Sequence, residues 1–338
     1  MDDLRENGSE QDVVIRTRIH LTRNLRDIPF PSKMNRTDRL TLVHKAMDAV
    51  EENKALSHIL RYMDMGSLSK TEAVSLVERY LVSAEFISDC EGRGVFITDD
   101  ESMSIMVNEE DHIHIQSSLW GLNLENAYQK ADILDDLLNR SLHFAFDKDL
   151  GYLTQNPVKL GTGMRASLIL HLPALRGSGG IVRISSNLSK LGLSLRGVFE
   201  TGEDSKGAVY QLSNQVTFGI SEQEAIANLK SIATQLIHQE RALWEELAEK
   251  PEIQDTVSRS LAILQSAKMM AYDEFLQLAS NVRFGISVGL IGDIRSDQLN
   301  RLIIAMQPAT LTLRSGKKLT QNERRILRAN QVRDLLYK

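Results

Sequence analysis

Four stretches of this 338-residue chain carry side chains that could do chemistry. The first is Arg16-Thr17-Arg18-Ile19-His20-Leu21-Thr22-Arg23, in which cationic residues alternate. An extended backbone repeats every two residues, so Arg16, Arg18 and His20 share one face. A row of guanidinium forks suits a polyanion such as a triphosphate; the plainer alternative is a solvated strand face. The second is Asn108-Glu109-Glu110-Asp111-His112, three consecutive acids between apolar runs. Such a cluster can supply a general base or help place Mg2+, and it can equally be a solvated turn. The third, Leu160-Gly161-Thr162-Gly163-Met164-Arg165, offers glycines that let a backbone approach phosphate. It lacks the Gly-Lys-Ser/Thr ending of a P-loop. The fourth, Arg196-Gly197, closes another strand-like run.

These segments need elements to position them. Apolar residues at helical spacing predict helices over Thr37–Val50, over Ser69–Val82 with Ser69 as N-cap, and over Leu124–Leu142. Short β-rich runs at Gly94–Thr98, Ser104–Asn108, His112–Gln116, Leu193–Phe199 and Ala208–Leu212 predict strands. Ser221-Glu222-Gln223-Glu224 is a capping box that opens another helix, with Pro251 expected to stop it and to mark a domain boundary. Everything beyond reads as helical. Residues 1–12 are polar, without period, and read as a loose terminus. The expected class is α+β, with an α+β domain over 1–250 and a helical one over 251–338.

Composition narrows the function classes. The length predicts about two domains, and 42% hydrophobic residues are enough for a true core. With 40 Lys+Arg against 45 Asp+Glu, the net charge of −5 argues against a generally basic nucleic-acid coat. One cysteine, Cys90, excludes an intramolecular disulfide framework. No apolar run approaches a membrane span of about 18 residues, and Met1-Asp2-Asp3-Leu4-Arg5-Glu6 is unlike a signal peptide. A cytoplasmic location is expected, with no membrane and no direct nucleic-acid partner.

In this order and spacing, the four stretches resemble the phosphagen (ATP:guanidino) kinases, and among them the bacterial protein-arginine branch. The likeness runs from about Val13 to Leu336, with further matches at His171-Leu172-Pro173-Ala174-Leu175, Tyr210-Gln211-Leu212-Ser213-Asn214-Gln215 and Phe218-Gly219-Ile220-Ser221-Glu222-Gln223. The resemblance implies a catalytic domain with an antiparallel sheet flanked by helices, then a small all-helical dimerisation domain. It implies transfer of the γ-phosphoryl group of ATP, with Mg2+, to arginine side chains of proteins. A guanidinium is a poor nucleophile, so a carboxylate must orient it and take its proton; the family pattern maps this base onto Glu110, with Asp111 beside it. ATP contacts map onto Thr17, Arg18, Arg165, Ala166, Ser167, Arg196 and Gly197. The branch further implies a homodimer, a stress-response role, a heat-shock repressor, a zinc-binding activator and a Clp-type protease as partners.

Departures from the family pattern cluster in the same places. Two phosphate-binding arginines correspond to His20 and His114, a nucleotide-contacting histidine to Tyr80, and the reactive cysteine to Asn156. Lys159 adds positive charge where a cationic substrate should dock. The branch's Arg-Asp-x-x-Arg-Ala phosphoarginine pocket appears as Arg324-Arg325-Ile326-Leu327-Arg328-Ala329, mapping the pocket onto Arg324, Arg328 and Ala329. A basic terminal helix is the plainer reading of that run. Two functions follow: a protein-arginine kinase with a partly substituted site, or a catalytically weak or dead relative acting as a phosphoarginine reader or regulatory partner.

Overall fold

The computed structural model describes residues 8–199 and 205–336. Ten strands are formed among them: β1 (Val14–Arg23), β2 (Leu60–Asp64), β3 (Gly94–Thr98), β4 (Met103–Val107), β5 (Ile113–Trp120), β6 (Phe146–Asp147), β7 (Gly151–Tyr152), β8 (Met164–His171), β9 (Leu193–Gly197) and β10 (Val209–Asn214). Eight are hydrogen-bonded in the order β2-β3-β4-β5-β1-β8-β10-β9, while β6 and β7 pair separately. The β2–β5 run is an antiparallel meander, with Val107 opposite Ile113 where β4 turns into β5.

The helices are α1 (Arg36–Glu51), α2 (Lys54–Ile59), α3 (Lys70–Glu78), α4 (Leu124–Leu142), α5 (Pro173–Gly177), α6 (Gly180–Lys190), α7 (Glu222–Ala242), α8 (Trp244–Ala248), α9 (Pro251–Ser266), α10 (Tyr272–Ser287), α11 (Ser296–Ala305), α12 (Pro308–Arg314) and α13 (Gln321–Leu336). Their starts follow local chemistry. Asn35 and Ser69 close capping boxes with Asp38 and Glu72, and Ser221 does so with Glu224. Each satisfies amide groups that the first helical turn leaves without a partner.

The chain divides into two compact units, each built from separated segments. One takes 17–167 and 213–230, the other 8–16, 168–212 and 231–338 beyond the undescribed ends. This differs from a cut at residue 250, because β1, β8 and β10 each contribute to both units. In the first unit, Met65, Leu76, Leu81, Phe86, Val95 and Met106 form a core under α3 and the meander. Arg23, at the end of β1, makes a buried two-pronged ion pair with Asp135 on α4 (2.9 and 3.1 Å). In the second, Phe275, Leu276, Val282, Leu299, Leu302, Leu311 and Val332 pack α9–α13 together.

Two expectations need correction. Pro251 opens α9 at its first turn rather than closing a helix, since a missing amide costs nothing there; α7 already ends at Ala242. Of the segment read as loose, 1–7 lie outside the described residues, but 10–12 are held fast. Arg241 pairs with Glu10 and Asp12, and buried Arg283 donates to the carbonyls of Gln11 and Asp12 (2.7 and 2.8 Å). Strand β2 and helix α6 are absent from the sequence reading, although α6 is amphipathic and buries Ile181 and Leu188.

Candidate active site

The acidic cluster is the loop between β4 and β5. Asn108 takes a left-handed backbone (φ 68°), a conformation its short polar side chain tolerates, and its amide donates to the His112 carbonyl. Its side-chain amide reaches the carbonyls of Arg39 and Gly92. Asp111 is fully buried, and its Oδ1 accepts from Asn24 Nδ2 (2.7 Å) and the Gln155 amide (2.6 Å). His112 is held between the Leu25 amide at Nδ1 and the Pro29 carbonyl at Nε2. That pairing puts the proton on Nε2, and burial pushes its pKa down. The loop is therefore rigid, with Glu110 Oε2 and Asp111 Oδ2 both on the side of Lys159. Asp111 Oδ2 is buried and makes no hydrogen bond.

Facing them is Lys159. Its Nζ lies 2.6 Å from Glu110 Oε2 and 3.6 Å from Asp111 Oδ2. The turn that carries it is built by Asn156, whose Oδ1 accepts the Val158 amide (3.1 Å) and whose carbonyl accepts the Lys159 amide. Such Asx turns are what asparagine does well. Thr217 Oγ1 donates to the carbonyls of Val158 and Leu160, stapling the same turn. The following glycines are needed for contact as well as conformation. Gly161 has φ 100°, and a Cβ there would meet the Thr217 carbonyl at 2.2 Å; at Gly163 (φ 57°) it would meet the Thr22 carbonyl at 2.7 Å.

On β1, Arg18 donates to Gln116 Oε1 (3.0 Å) and lies over the Tyr80 ring, 5.3 Å from its centre. Gln116 in turn donates to the Tyr80 carbonyl, so β5 fixes both partners of this cation–π pair. His20 is half-buried. Desolvation, then the charges of Arg18, Arg165 and Lys159 and the neighbouring His114, hold its pKa well below the ordinary value. His114 is buried, with Thr22 Oγ1 at Nδ1 (3.4 Å) and Glu109 at Nε2 (3.2 Å). Desolvation wins over the nearby carboxylates and lowers its pKa too. Glu109 also accepts from Ser83. Both imidazoles are thus neutral at neutral pH.

The remaining predicted residues fall in four groups. Arg165 is exposed on β8 and donates to Ser213 Oγ (3.1 Å), while the Ala166 amide donates to Asn214 Oδ1 and Ser167 is buried beside them. Thr17 Oγ1 is occupied inside the protein, donating to the Gly121 carbonyl and accepting the Asn123 amide. Arg196 is exposed and Gly197 closes β9, both in the second unit. On α13, Arg324 donates to the Leu319 carbonyl (2.8 Å). Arg328 is buried, donating from Nε to Met306 O and from Nη1 to Met270 O, with Ala329 buried next to it.

The structure therefore brings Glu110, Asp111, Arg18, His20, His114, Tyr80 and Asn156 into the first unit. Sequence reading missed Asn24, Gln116 and Ser83, whose roles arise from contacts far away in sequence. It also missed that Asn156 shapes the turn that carries Lys159. An apolar cavity of about 500 Å³ elsewhere in this unit, lined by Leu56, Ile59, Met103, Ile133 and Leu137, contains none of these groups.

Comparison with known proteins shows the family of the chain. Residues 41–243 match the ATP:guanido phosphotransferase C-terminal catalytic domain, and 250–338 match the protein-arginine kinase McsB C-terminal domain. A protein-arginine kinase from Halothermothrix orenii is 41% identical over 97% of this chain and 94% of its own length. One from Clostridium acetobutylicum is 39% identical over 99% and 98%. Among solved structures, a lombricine kinase superposes with a TM-score of 0.61 at 21% identity, covering 70% of this chain and 69% of that one. The duplicated taurocyamine kinase of Schistosoma mansoni gives 0.63 at 24%, covering 78% and 41%. With a catalytic-domain match over most of its length and relatives near 40% identity end to end, the chain belongs to the ATP:guanido phosphotransferase family.

Proposed function

We propose that this protein is an arginine kinase of protein substrates, slowed by the histidines in its phosphate-facing row. The observation that carries the reading is a pair of carboxylate oxygens, Glu110 Oε2 and Asp111 Oδ2, turned toward one cation. A guanidinium placed there would be oriented by both, and Glu110 would take its proton as the N–P bond forms. Glu110 is the better base of the two because it is half-exposed, whereas Asp111 is fixed by Asn24 and Gln155.

For ATP, Arg18 and Arg165 provide forks that suit phosphate oxygens, with Tyr80 stacked on Arg18. Ser167 and Arg196 belong to the same proposal. Magnesium, when bound, supplies charge neutralisation of the triphosphate. The hard oxygen donors of the acidic loop suit it. No group of three or more His, Cys, Asp or Glu side chains among the described residues is arranged to hold a metal by itself. The phosphates would therefore be its principal ligands. Positioning and electrostatics carry most of such a transfer. Two neutral imidazoles offer fewer donors and less charge than guanidinium groups.

Assembly as a homodimer, phosphoarginine binding at Arg324, Arg328 and Ala329, and partnership with an activator, a heat-shock repressor and a Clp-type protease belong to this proposal through the family resemblance. So does a cytoplasmic location; among the described residues, no helix is long and apolar enough to cross a membrane. The neutral state of His20 and His114 favours one second reading, a weak or inactive relative that binds rather than phosphorylates.

Incubation with Mg·ATP and an arginine-rich protein, followed by mass spectrometry of phosphoarginine, tests the choice. Labelling that Glu110→Ala lowers by about a hundredfold or more supports the kinase; no labelling in the unaltered chain supports the second reading. His20→Arg with His114→Arg should tighten ATP binding.

A further inference from the structure

Lys159 is a cationic side chain that the proposed reaction does not use but that sits on both of its carboxylates. We propose that Lys159 is a resident competitor for the acceptor site and, through that competition, its specificity determinant. Its ammonium already holds the place of a point-like cation, so only an acceptor with a wider donor array displaces it. This rests on the reading of Glu110 and Asp111 as the guanidinium site.

The geometry gives the reason. Nζ is within hydrogen-bond distance of Glu110 Oε2 (2.6 Å) but not of Asp111 Oδ2 (3.6 Å). Asp111 Oδ2 is buried and makes no hydrogen bond, so the ammonium leaves one acceptor oxygen unsatisfied. An incoming lysine would do no better and would compete with a cation tethered at high effective concentration. A guanidinium presents five donors in a planar fork and can serve both oxygens together. It gains a bond that Lys159 does not make, and that gain favours exchange.

Exchange is mechanically simple. Pro157 and Val158 are exposed, so the turn can carry Lys159 into solvent without uncovering core. Asn156 and Thr217 define the turn, and together they return Lys159 to its seat when the acceptor leaves. Lys159 is about one-third exposed, consistent with a displaceable pair rather than a buried structural one.

The test uses the full-length protein and two capped tripeptides, Ala-Arg-Ala and Ala-Lys-Ala, titrated without nucleotide by calorimetry or NMR. The wild type should favour the arginine peptide. Lys159→Met should bind the arginine peptide roughly three- to tenfold tighter, between the worth of a surface pair and a charged hydrogen bond. It should gain more for the lysine peptide, so that discrimination narrows. Lys159→Arg, which keeps the charge and can serve both oxygens, should weaken both peptides. Equal affinities and an equal ratio in wild type and Lys159→Met overturn the inference, as does tighter binding by a correctly melting Lys159→Arg. Activity separates this inference from the reading beneath it. If Lys159→Met binds arginine more tightly while neither protein forms phosphoarginine from Mg·ATP, the inference stands and the kinase proposal falls. If both form phosphoarginine with the same acceptor KM, the inference falls alone.

Discussion

Arg283 and Arg328 of the second unit and Arg18 and Arg165 of the first are used in opposite ways. In the second unit, Arg283 is completely buried, with Nε on Asn300 and both terminal nitrogens on backbone carbonyls. Arg328 similarly reaches two carbonyls on different segments. Burial pulls the Arg283 pKa down to about 10, still far above neutral, so the charge persists. In the first unit, Arg165 stands exposed at the edge of the candidate site and Arg18 lies half-buried against a ring. A guanidinium directed at fixed carbonyls holds a fold together, whereas Arg18 lies against the Tyr80 ring and Arg165 against the Ser213 hydroxyl, in the site proposed for ATP.

The contrast predicts effects of different kinds and sizes. Arg283→Met should cost most, about 3 kcal/mol or more, because two carbonyls and Asn300 lose their partner inside the protein. Denaturant unfolding would show this as a lower midpoint, and an unchanged midpoint would end the distinction. Arg165→Ala should leave the midpoint within about 0.5 kcal/mol, as surface changes do, yet weaken ATP binding roughly tenfold through loss of a charge-assisted fork. Nucleotide titration checks it.

The smallest effect is that of pH. His20, His112, His114 and His171 all have pKa values lowered by burial. Unfolded, they take up protons near the ordinary value of 6.5, so the unfolded state binds more protons below that pH. Stability should be level above about 6.5 and fall as pH drops toward the lowered native values. Replacing His114 by Gln should flatten part of that slope in a pH series of melting temperatures. A slope rising toward acid would contradict the neutral assignment.

Much of this arrangement is written in local sequence. Ser69 and Ser221 announce their helices because a capping side chain and its partner acid are three residues apart. The alternation from Arg16 to Arg23 matches a real strand, and Leu124–Leu142 matches α4 end for end. What stayed hidden depends on residues distant in the chain. Gln116 matters because it bridges Arg18 and Tyr80, and Asn24 because it pins Asp111. Arg324 and Arg328 share an i, i+4 spacing, yet their surroundings on α13 differ: one is half-exposed, the other sunk among carbonyls. Pattern alone does not distinguish them, since the carbonyls of Met270 and Met306 come from other elements.

The position of β1 has a consequence for the order in which the protein is made. It is first in chain order among the described strands, yet its sheet neighbours are β5 and β8, which emerge far later. The β2–β5 meander can zip from adjacent hairpins, while β1 must wait for partners that close long loops. In that interval a segment containing Val13, Val14, Ile15, Ile19 and Leu21, all destined for burial, is without its sheet. Nascent chains stalled before β8 should therefore be the aggregation-prone species, and chaperone demand should fall once His171 has been synthesised.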